Sequence, residues 1–260
     1  MADKNCFEIQ NLSFSYANRT IFRDLSLCLP QGKVTTILGA NGCGKSTLFS
    51  LLTKNLQPQA GQIFLRGQDI GALSLRGFAQ KVAIVHQKNT AAEDITVEQL
   101  VSYGRLPFQH FGRSADPEKD RAFVERALHI TGTEPLRKKR VRALSGGQQQ
   151  RVWIAMALAQ GTRTLLLDEP TTYLDIRYQL GILRLVKKLN VCCGMTVLMV
   201  LHDVNQAIAY SDELVALSPK GTLAAQGDPQ KIITTQTLQE IYGIPLEVAE
   251  HNGRKMVVAV

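Results

Sequence analysis

Residues 33–48 read KVTTILGANGCGKSTL. Lys33 to Leu38 reads as a strand that runs directly into the glycine loop, and a helix is expected to start near Lys45. Between them, Gly39-Ala40-Asn41-Gly42-Cys43-Gly44-Lys45-Ser46 fits the pattern G-x-x-x-x-G-K-[ST]. Each residue type has a physical reason. Glycines let successive backbone N–H groups curl around phosphate oxygens, and the helix N-terminus adds positive partial charge. Lys45 can neutralise the β- and γ-phosphates, and the Ser46 hydroxyl can hold a magnesium ion. A plain glycine turn is the competing reading, and the strand before and the helix after argue for a phosphate loop. Gly39 to Thr47 is therefore the candidate triphosphate-binding segment, with Cys43 filling space inside it.

The same alternation extends outward. Phe7, Ile9, Leu12 and Phe14 mark a first strand, and Leu25, Leu27 and Leu29 alternate before the turn Pro30-Gln31-Gly32. Gln62 to Leu65 and Val82 to Val85 are further short strands. From about residue 88 to 160 helical spacing replaces strands: Thr96-Val97-Glu98-Gln99 has the form of a capping box, and Glu118 to Ile130 carries Phe123, Val124, Ala127 and Leu128 at helical spacing. Strands and helices then alternate again through Leu165–Leu167, Gln179–Leu189 and Thr196–Leu201, which implies a mostly parallel sheet covered by helices. Residues 1–87 and 161–260 would form one α/β core, and about 88–160 an all-helical insertion.

Two carboxylates, Asp168 and Glu169, end the apolar run Leu165-Leu166-Leu167. After a phosphate loop, an aspartate at a strand end is placed to hold magnesium, and the next carboxylate to act as a general base on water. His202 ends the run TVLMVL at 196–201 and is a candidate γ-phosphate contact.

Length and composition bound the class. The chain has 260 residues, 45% of them hydrophobic and 20% charged, which suits one large domain. Its longest apolar runs are strand-sized, far short of the about 20 residues a membrane span needs. The N-terminal MADKNCFEIQ has no apolar core, so no signal peptide is expected. Five cysteines at these spacings fit neither a disulfide framework nor a zinc site, and a reducing cytosol is the simplest setting. Cys192-Cys193 reads as the end of a helix-to-strand connection. The net charge of +8 admits a nucleic-acid surface, but the densest run, Arg137-Lys138-Lys139-Arg140 with Arg142, has no interleaved aromatics and reads as an exposed loop.

One element remains. Leu144-Ser145-Gly146-Gly147-Gln148 places a second glycine pair before a second helix. With it, the chain resembles the ATP-binding cassette (ABC) ATPases over essentially its whole length, and LSGGQ is similar to that family's signature. The resemblance implies an α/β P-loop fold with an antiparallel N-terminal β subdomain and a helical insertion. It implies ATP and Mg²⁺ as cofactors. It implies that Tyr16 stacks on adenine, that Gln87 joins core to insertion near the metal, and that Tyr173-Leu174-Asp175 is the D-loop, with tyrosine where alanine is common. In the family two copies face head to tail, so that Ser145, Gly147 and the helix N-terminus of one complete the γ-phosphate site of the other; the resemblance also counts Gly146, Gln148 and Asp175 as ATP-binding and His202 as the switch histidine. Lys45, Gln87, Glu169 and His202 are then the catalytic set, and Ser46, Gln87 and Asp168 the metal set.

Narrower segments, Val101-Ser102-Tyr103-Gly104-Arg105-Leu106-Pro107, Ala157-Leu158-Ala159-Gln160, DEPTTYLDI at 168–176 and LHDVNQA at 201–207, resemble ATPase subunits of bacterial importers for ferric siderophores, haem and vitamin B12. That likeness implies a peripheral place on the cytoplasmic face of the inner membrane, a separate permease, an indirect link to a substrate-binding protein and no specific nucleic acid. The expected docking surface runs near Gln87–Asp94 and 101–111, with Tyr103, Leu106, Phe108 and Phe111 in a groove for a short permease helix. Two alternatives stay open. An exporter ATPase shares the core motifs. A non-transport ATPase acting on DNA or ribosomes is favoured only by the basic charge, and would normally bring long heptad arms or a second cassette.

Overall fold

The computed structural model describes residues 5–109 and 114–258; Phe111 of the expected docking groove lies outside them. In chain order the elements are β1 (Asn5–Tyr16), β2 (Arg19–Pro30), β3 (Val34–Gly39), α1 (Lys45–Leu52), β4 (Ala60–Leu65) and β5 (Gln68–Asp69). Next come α2 (Leu75–Ala79), β6 (Val82–Val85), α3 (Val97–Ser102), α4 (Pro117–Thr131), α5 (Gly146–Ala159), β7 (Thr164–Asp168) and α6 (Ile176–Cys193). The chain closes with β8 (Thr196–Val200), α7 (Val204–Tyr210), β9 (Glu213–Leu217), β10 (Leu223–Gly227), α8 (Pro229–Ile232), α9 (Thr235–Tyr242), β11 (Glu247–His251) and β12 (Arg254–Val258). Two compact units result: the described residues up to Leu73 with those from Asn190 onward, and Ser74–Leu189. They part the chain by compactness, whereas boundaries at 88 and 160 part it by helical content.

In the first unit, β2, β1, β4 and β5 form an antiparallel sheet in that order. Its inward row, including Phe7, Ile9, Leu12 and Phe22, is buried, each large side chain contributing about 1.5–3 kcal/mol. β3 lies parallel between β8 and β9, with β10 antiparallel on β9. All six residues of β3 are buried, as expected of a strand covered on both faces. Its partners come from 160 residues later in the chain, so the C-terminal edge of β3 is where the winding direction changes and where ligands of such sheets bind. β11 and β12 form a separate hairpin, held to α7 where the Asn205 amide pairs with both backbone groups of Val257.

In the second unit β6 and β7 pair in parallel, Val85 opposite Leu167. The stretch between them holds α3, α4, α5 and three 3-10 turns, with no strand among its described residues. The capping box at Thr96 is formed: Thr96 Oγ1 accepts from Gln99 N at 3.3 Å and the Gln99 side chain accepts from Thr96 N at 2.9 Å. α6 extends three residues before and four beyond the Gln179–Leu189 helix, so Cys192 and Cys193 are its last turn rather than a connection.

The basic run is not a free arm. Its carbonyls at Lys139 and Arg137 accept from Val97 N and Glu98 N at 3.0 Å, satisfying donors that the start of α3 leaves open. Arg137 pairs with Glu98 at 2.5 Å and Glu125 at 2.7 Å, Arg140 with Asp94 at 3.3 Å, and Arg142 with Glu93 at 2.5 Å. Those carboxylates answer locally much of the charge that the sequence shows as a cluster.

Arg105 organises the other end of the helical stretch. Its buried guanidinium meets Asp120 at 2.8 Å and donates to the carbonyls of Ala159 and Gln160 at 3.0 and 2.9 Å. The rings of Phe108 and Phe123 stand 4.2 Å from it. This corrects one member of the expected groove: Phe108 is half-buried over Arg105, while Tyr103 and Leu106 are 50% and 53% exposed.

Candidate functional site

In the first unit the chain leaves β3 at Gly39, opposite Leu217 of β9, and turns into α1 within five residues. The glycines are where the chain has no room. A β-carbon on Gly39 would stand 2.5 Å from Cys43 Sγ and 2.9 Å from the Leu217 carbonyl oxygen. Gly44 has φ +107°, and a β-carbon there would meet Phe22 Cζ at 2.7 Å and Ile21 Cγ2 at 2.8 Å. Lys45 is 5% exposed; its Nζ donates to the carbonyls of Gly39 at 2.8 Å and Ala40 at 3.0 Å, which holds the ammonium inside the loop. Ser46 is exposed at the start of α1 and Thr47 is buried. Burial pushes the Cys43 thiol up against the opposing pull of Lys45, so it stays protonated near neutral pH and fills space.

Two further groups join that loop. Tyr16 closes β1 and is 48% exposed, with its ring nearly perpendicular to that of Phe14 at a centroid distance of 4.9 Å. Across a two-residue turn, Arg19 pairs with Tyr16 in the hairpin and donates from Nη2 to the Gly42 carbonyl at 3.1 Å. Arg19 therefore pins the hairpin that carries Tyr16 to the phosphate loop. Sequence reading missed it; the signal, a lone arginine three residues after the aromatic, is too weak without the fold. His202 is exposed just past β8, whose Val200 pairs with Ile37 of β3, so it shares the edge from which the loop departs.

In the second unit, Gln87 and Glu169 each lie two residues past the paired ends of β6 and β7. Gln87 Nε2 donates to Glu169 Oε2 at 2.5 Å, and Thr172 Oγ1 donates to the same oxygen at 3.2 Å. Glu169 has φ +47°, a left-handed conformation whose cost is of order 1–3 kcal/mol and that a turn at a functional position commonly carries. Its carboxylate is thus buried and aimed by two donors. Asp168, the residue before it, is half-buried at the end of β7. Burial lowers the pKa of His86, one residue past β6, so that imidazole is neutral at pH 7. Replacing Gln87 by Ala is expected to lower kcat about tenfold, on the scale of a lost hydrogen bond to a charged group, with KM for ATP moving less; steady-state ATPase assays check the split.

The signature stretch is a capping box in its own right. Ser145 is the N-cap of α5: its Oγ accepts from Gln148 N at 3.4 Å, and Gln148 Oε1 accepts from Ser145 N at 3.1 Å. Gly146 and Gly147 fill the two positions between, so Ser145 and Gln148 hold the helix start in shape. The loop after β7 is built alike: Asp175 Oδ1 accepts from Tyr178 N at 3.1 Å, and Gln179 Nε2 donates to the Leu174 carbonyl at 2.8 Å. Tyr173, the residue before Leu174, has φ +64° and is 84% exposed. Gly39 to Thr47, Tyr16 and His202 thus fall in one unit, and Gln87, Asp168, Glu169, Ser145 to Gln148 and Asp175 in the other.

With that geometry in hand, residues 22–172 match the family model described as ABC transporter. The chain is 44% identical to the iron(3+)-hydroxamate import ATP-binding protein FhuC of Bacillus subtilis (strain 168), over 94% of this chain and 90% of that protein. It is 41% identical to the ferric enterobactin transport ATP-binding protein FepC of Escherichia coli (strain K12), over 90% and 86% of the two chains. Among solved structures, one described as an inward-facing conformation of a metal-chelate type ABC transporter superposes with a TM-score of 0.83 at 28% identity, covering 98% of this chain and 96% of that one.

Proposed function

This chain belongs to the ABC transporter family, and from that premise we propose that it is the ATP-hydrolysing subunit of a bacterial importer for an iron(III) chelate. ATP binding follows from the family and from the loop around Lys45. The iron-chelate cargo is supported by one observation above others: relatives more than 40% identical over nine-tenths of this chain are named for iron(3+)-hydroxamate import and for ferric enterobactin transport. In this reading Tyr16 stacks on adenine, residues 39–47 cradle the phosphates, Glu169 is the general base, and His202 contacts the γ-phosphate. Ser46, Gln87 and Asp168 offer a hydroxyl, an amide oxygen and a carboxylate, an oxygen-only donor set of the kind Mg²⁺ takes; when bound, that ion neutralises phosphate charge. Ser145, Gly147 and the N-terminus of α5 face the triphosphate of a second copy, so ATP joins two chains head to tail and hydrolysis lets them part.

In this reading the chain works with a separate permease and is peripheral on the cytoplasmic face of the inner membrane; no helix among the described residues is long and apolar enough to cross a membrane. The docking surface we assign to it is the 3-10 turn Tyr103–Phe108 with α2. Arg76 donates to the carbonyls of Pro107 at 2.9 Å and Gln109 at 2.7 Å, and Gln80 to Pro107 at 2.8 Å, fixing that turn while Leu75, Tyr103 and Leu106 stay exposed. Leu106→Glu is expected to abolish co-purification with the permease while the ATPase rate of the subunit alone changes less than about twofold. Retained assembly would move the joint to another face. For the cargo, a strain lacking this chain is expected to lose uptake of labelled iron from a ferric siderophore, with recovery by the wild-type gene and none by a Glu169→Gln copy. Unchanged uptake of iron chelates overturns the importer reading.

A further inference from the structure

Two helices of the second unit are fitted to each other through reciprocal gaps. Gly147, on the first turn of α5, is buried, and a β-carbon placed on it would lie 2.2 Å from Tyr178 Cδ1, 2.4 Å from Cγ and 2.8 Å from Cβ. The last contact is to the first atom of the tyrosine side chain, so turning the ring cannot make room. Farther along, the roles reverse. Gly181 of α6 leaves a gap filled by Arg151 of α5, whose Nη2 would stand 2.9 Å from a β-carbon there. Arg151 also donates from Nη1 to the Thr131 carbonyl at 3.2 Å, anchoring it on the C-terminal end of α4. Positions 147 and 151 are four apart on α5, and 178 and 181 three apart on α6, so each pair occupies one helix face. A large side chain of each helix thus sits in a glycine gap of the other. Before this seam, a β-carbon on Gly146 would be in ordinary contact with Leu174 at 3.5 Å. The Asp175 carboxylate accepts from the Tyr178 backbone, so the ring that props Gly147 belongs to the turn that closes the 173–175 loop.

We propose that Tyr178 is a positioning residue for the signature loop: its ring, with Arg151 as the second fixing point, sets where Ser145 and Gly147 stand relative to Asp175, so that the signature loop and the 173–175 loop move as one body. The functional consequence rests on the reading of those loops as the surface offered to a second copy. Glycine is required at 147 for two separate reasons: close approach of a phosphate from outside, and the ring of Tyr178 from inside. Only the second can be relieved by a change elsewhere in the same chain.

The test is a double-mutant cycle in the full-length chain, read as kcat and KM for ATP. Tyr178→Phe keeps the ring and is expected to hold kcat within twofold. Tyr178→Ala is expected to lower kcat about fivefold with KM within twofold, because the loop is loosened and the phosphate loop is not. Gly147→Ala is expected to lower kcat at least tenfold, and pairing it with Tyr178→Gly, which also removes the β-carbon that alanine would keep 2.8 Å away, to recover at least threefold of that loss. A Tyr178→Ala protein with wild-type kcat, or a Gly147→Ala loss of the same size in the wild-type and Tyr178→Gly backgrounds, overturns the proposal. If Gly147→Ala does not fold, the contrast between Tyr178→Phe and Tyr178→Ala decides alone. Size-exclusion of the Glu169→Gln protein with ATP tests the two-copy reading separately: a monomer there overturns that reading, while the rescue, measured as kcat, still judges the seam.

Discussion

Glu169→Gln is expected to cut steady-state ATP hydrolysis by at least about a hundredfold while ATP still binds, the scale of a lost general base. The substitution keeps the volume of the side chain and an acceptor oxygen where Gln87 Nε2 and Thr172 Oγ1 now meet Glu169 Oε2 at 2.5 and 3.2 Å. Orientation therefore survives, and what disappears is the ability to take a proton from water. Lys45 and Tyr16, to which we assign nucleotide binding and which lie in the first unit, are untouched. A chain that binds ATP and cannot hydrolyse it is expected to collect as the ATP-joined dimer, visible as a doubling of mass in size-exclusion with light scattering. Near-normal ATPase in the purified variant would remove Glu169 from the role of base.

Lys45→Ala is expected to act on the other half of the cycle, raising the Kd for ATP by roughly thirty- to a hundredfold, from the loss of about 2–3 kcal/mol in charge-assisted hydrogen bonds to phosphate. Lys45 is 5% exposed and its ammonium is held by the Gly39 and Ala40 carbonyls at 2.8 and 3.0 Å, so its charge is already set inside the loop before a nucleotide arrives. Arginine is no substitute, since a planar fork does not fit a slot shaped for a point charge on a thin stem, and Lys45→Arg is expected to weaken binding as well. Titration of a fluorescent ATP analogue measures both. A Kd within threefold of wild type in Lys45→Ala would show that the loop's backbone N–H groups alone carry the phosphates. The two variants separate binding from chemistry: one raises Kd, the other lowers kcat.

Most of the site was open to reading in the chain itself, because its parts are short and their chemistry is local. A strand, a glycine turn, a lysine, a hydroxyl and a helix within fifteen residues can be recognised from residue types, since each satisfies its requirement with its immediate neighbours. The capping box at Thr96 is of the same kind, and so is the one at Ser145-Gln148, whose spacing also stands in the sequence. The strands before residue 90 and the helix at 117–131 follow from periodicity, which packing against one buried face imposes on the sequence directly. The hairpin of β11 and β12 left no comparable pattern: its strands are short and largely exposed, so little of their sequence is constrained by burial.

What tertiary structure alone decided are the pairings between residues distant in the chain. Gln87 and Glu169 are 82 positions apart and meet only because β6 and β7 align in parallel with a register that the residues themselves do not announce. Arg19 reaches Gly42 because a hairpin tip folds over the loop, and Phe108 covers Arg105 although its neighbours Tyr103 and Leu106 face solvent. Gly147 looks, in sequence, like a residue kept small for a ligand; the fold shows Tyr178 occupying the space its side chain would need. Local chemistry is written in residue types and spacing, which a chain carries before it folds. Which distant side chains share a hydrogen bond or a gap depends on strand register and helix azimuth, and those come into being only when the elements pack.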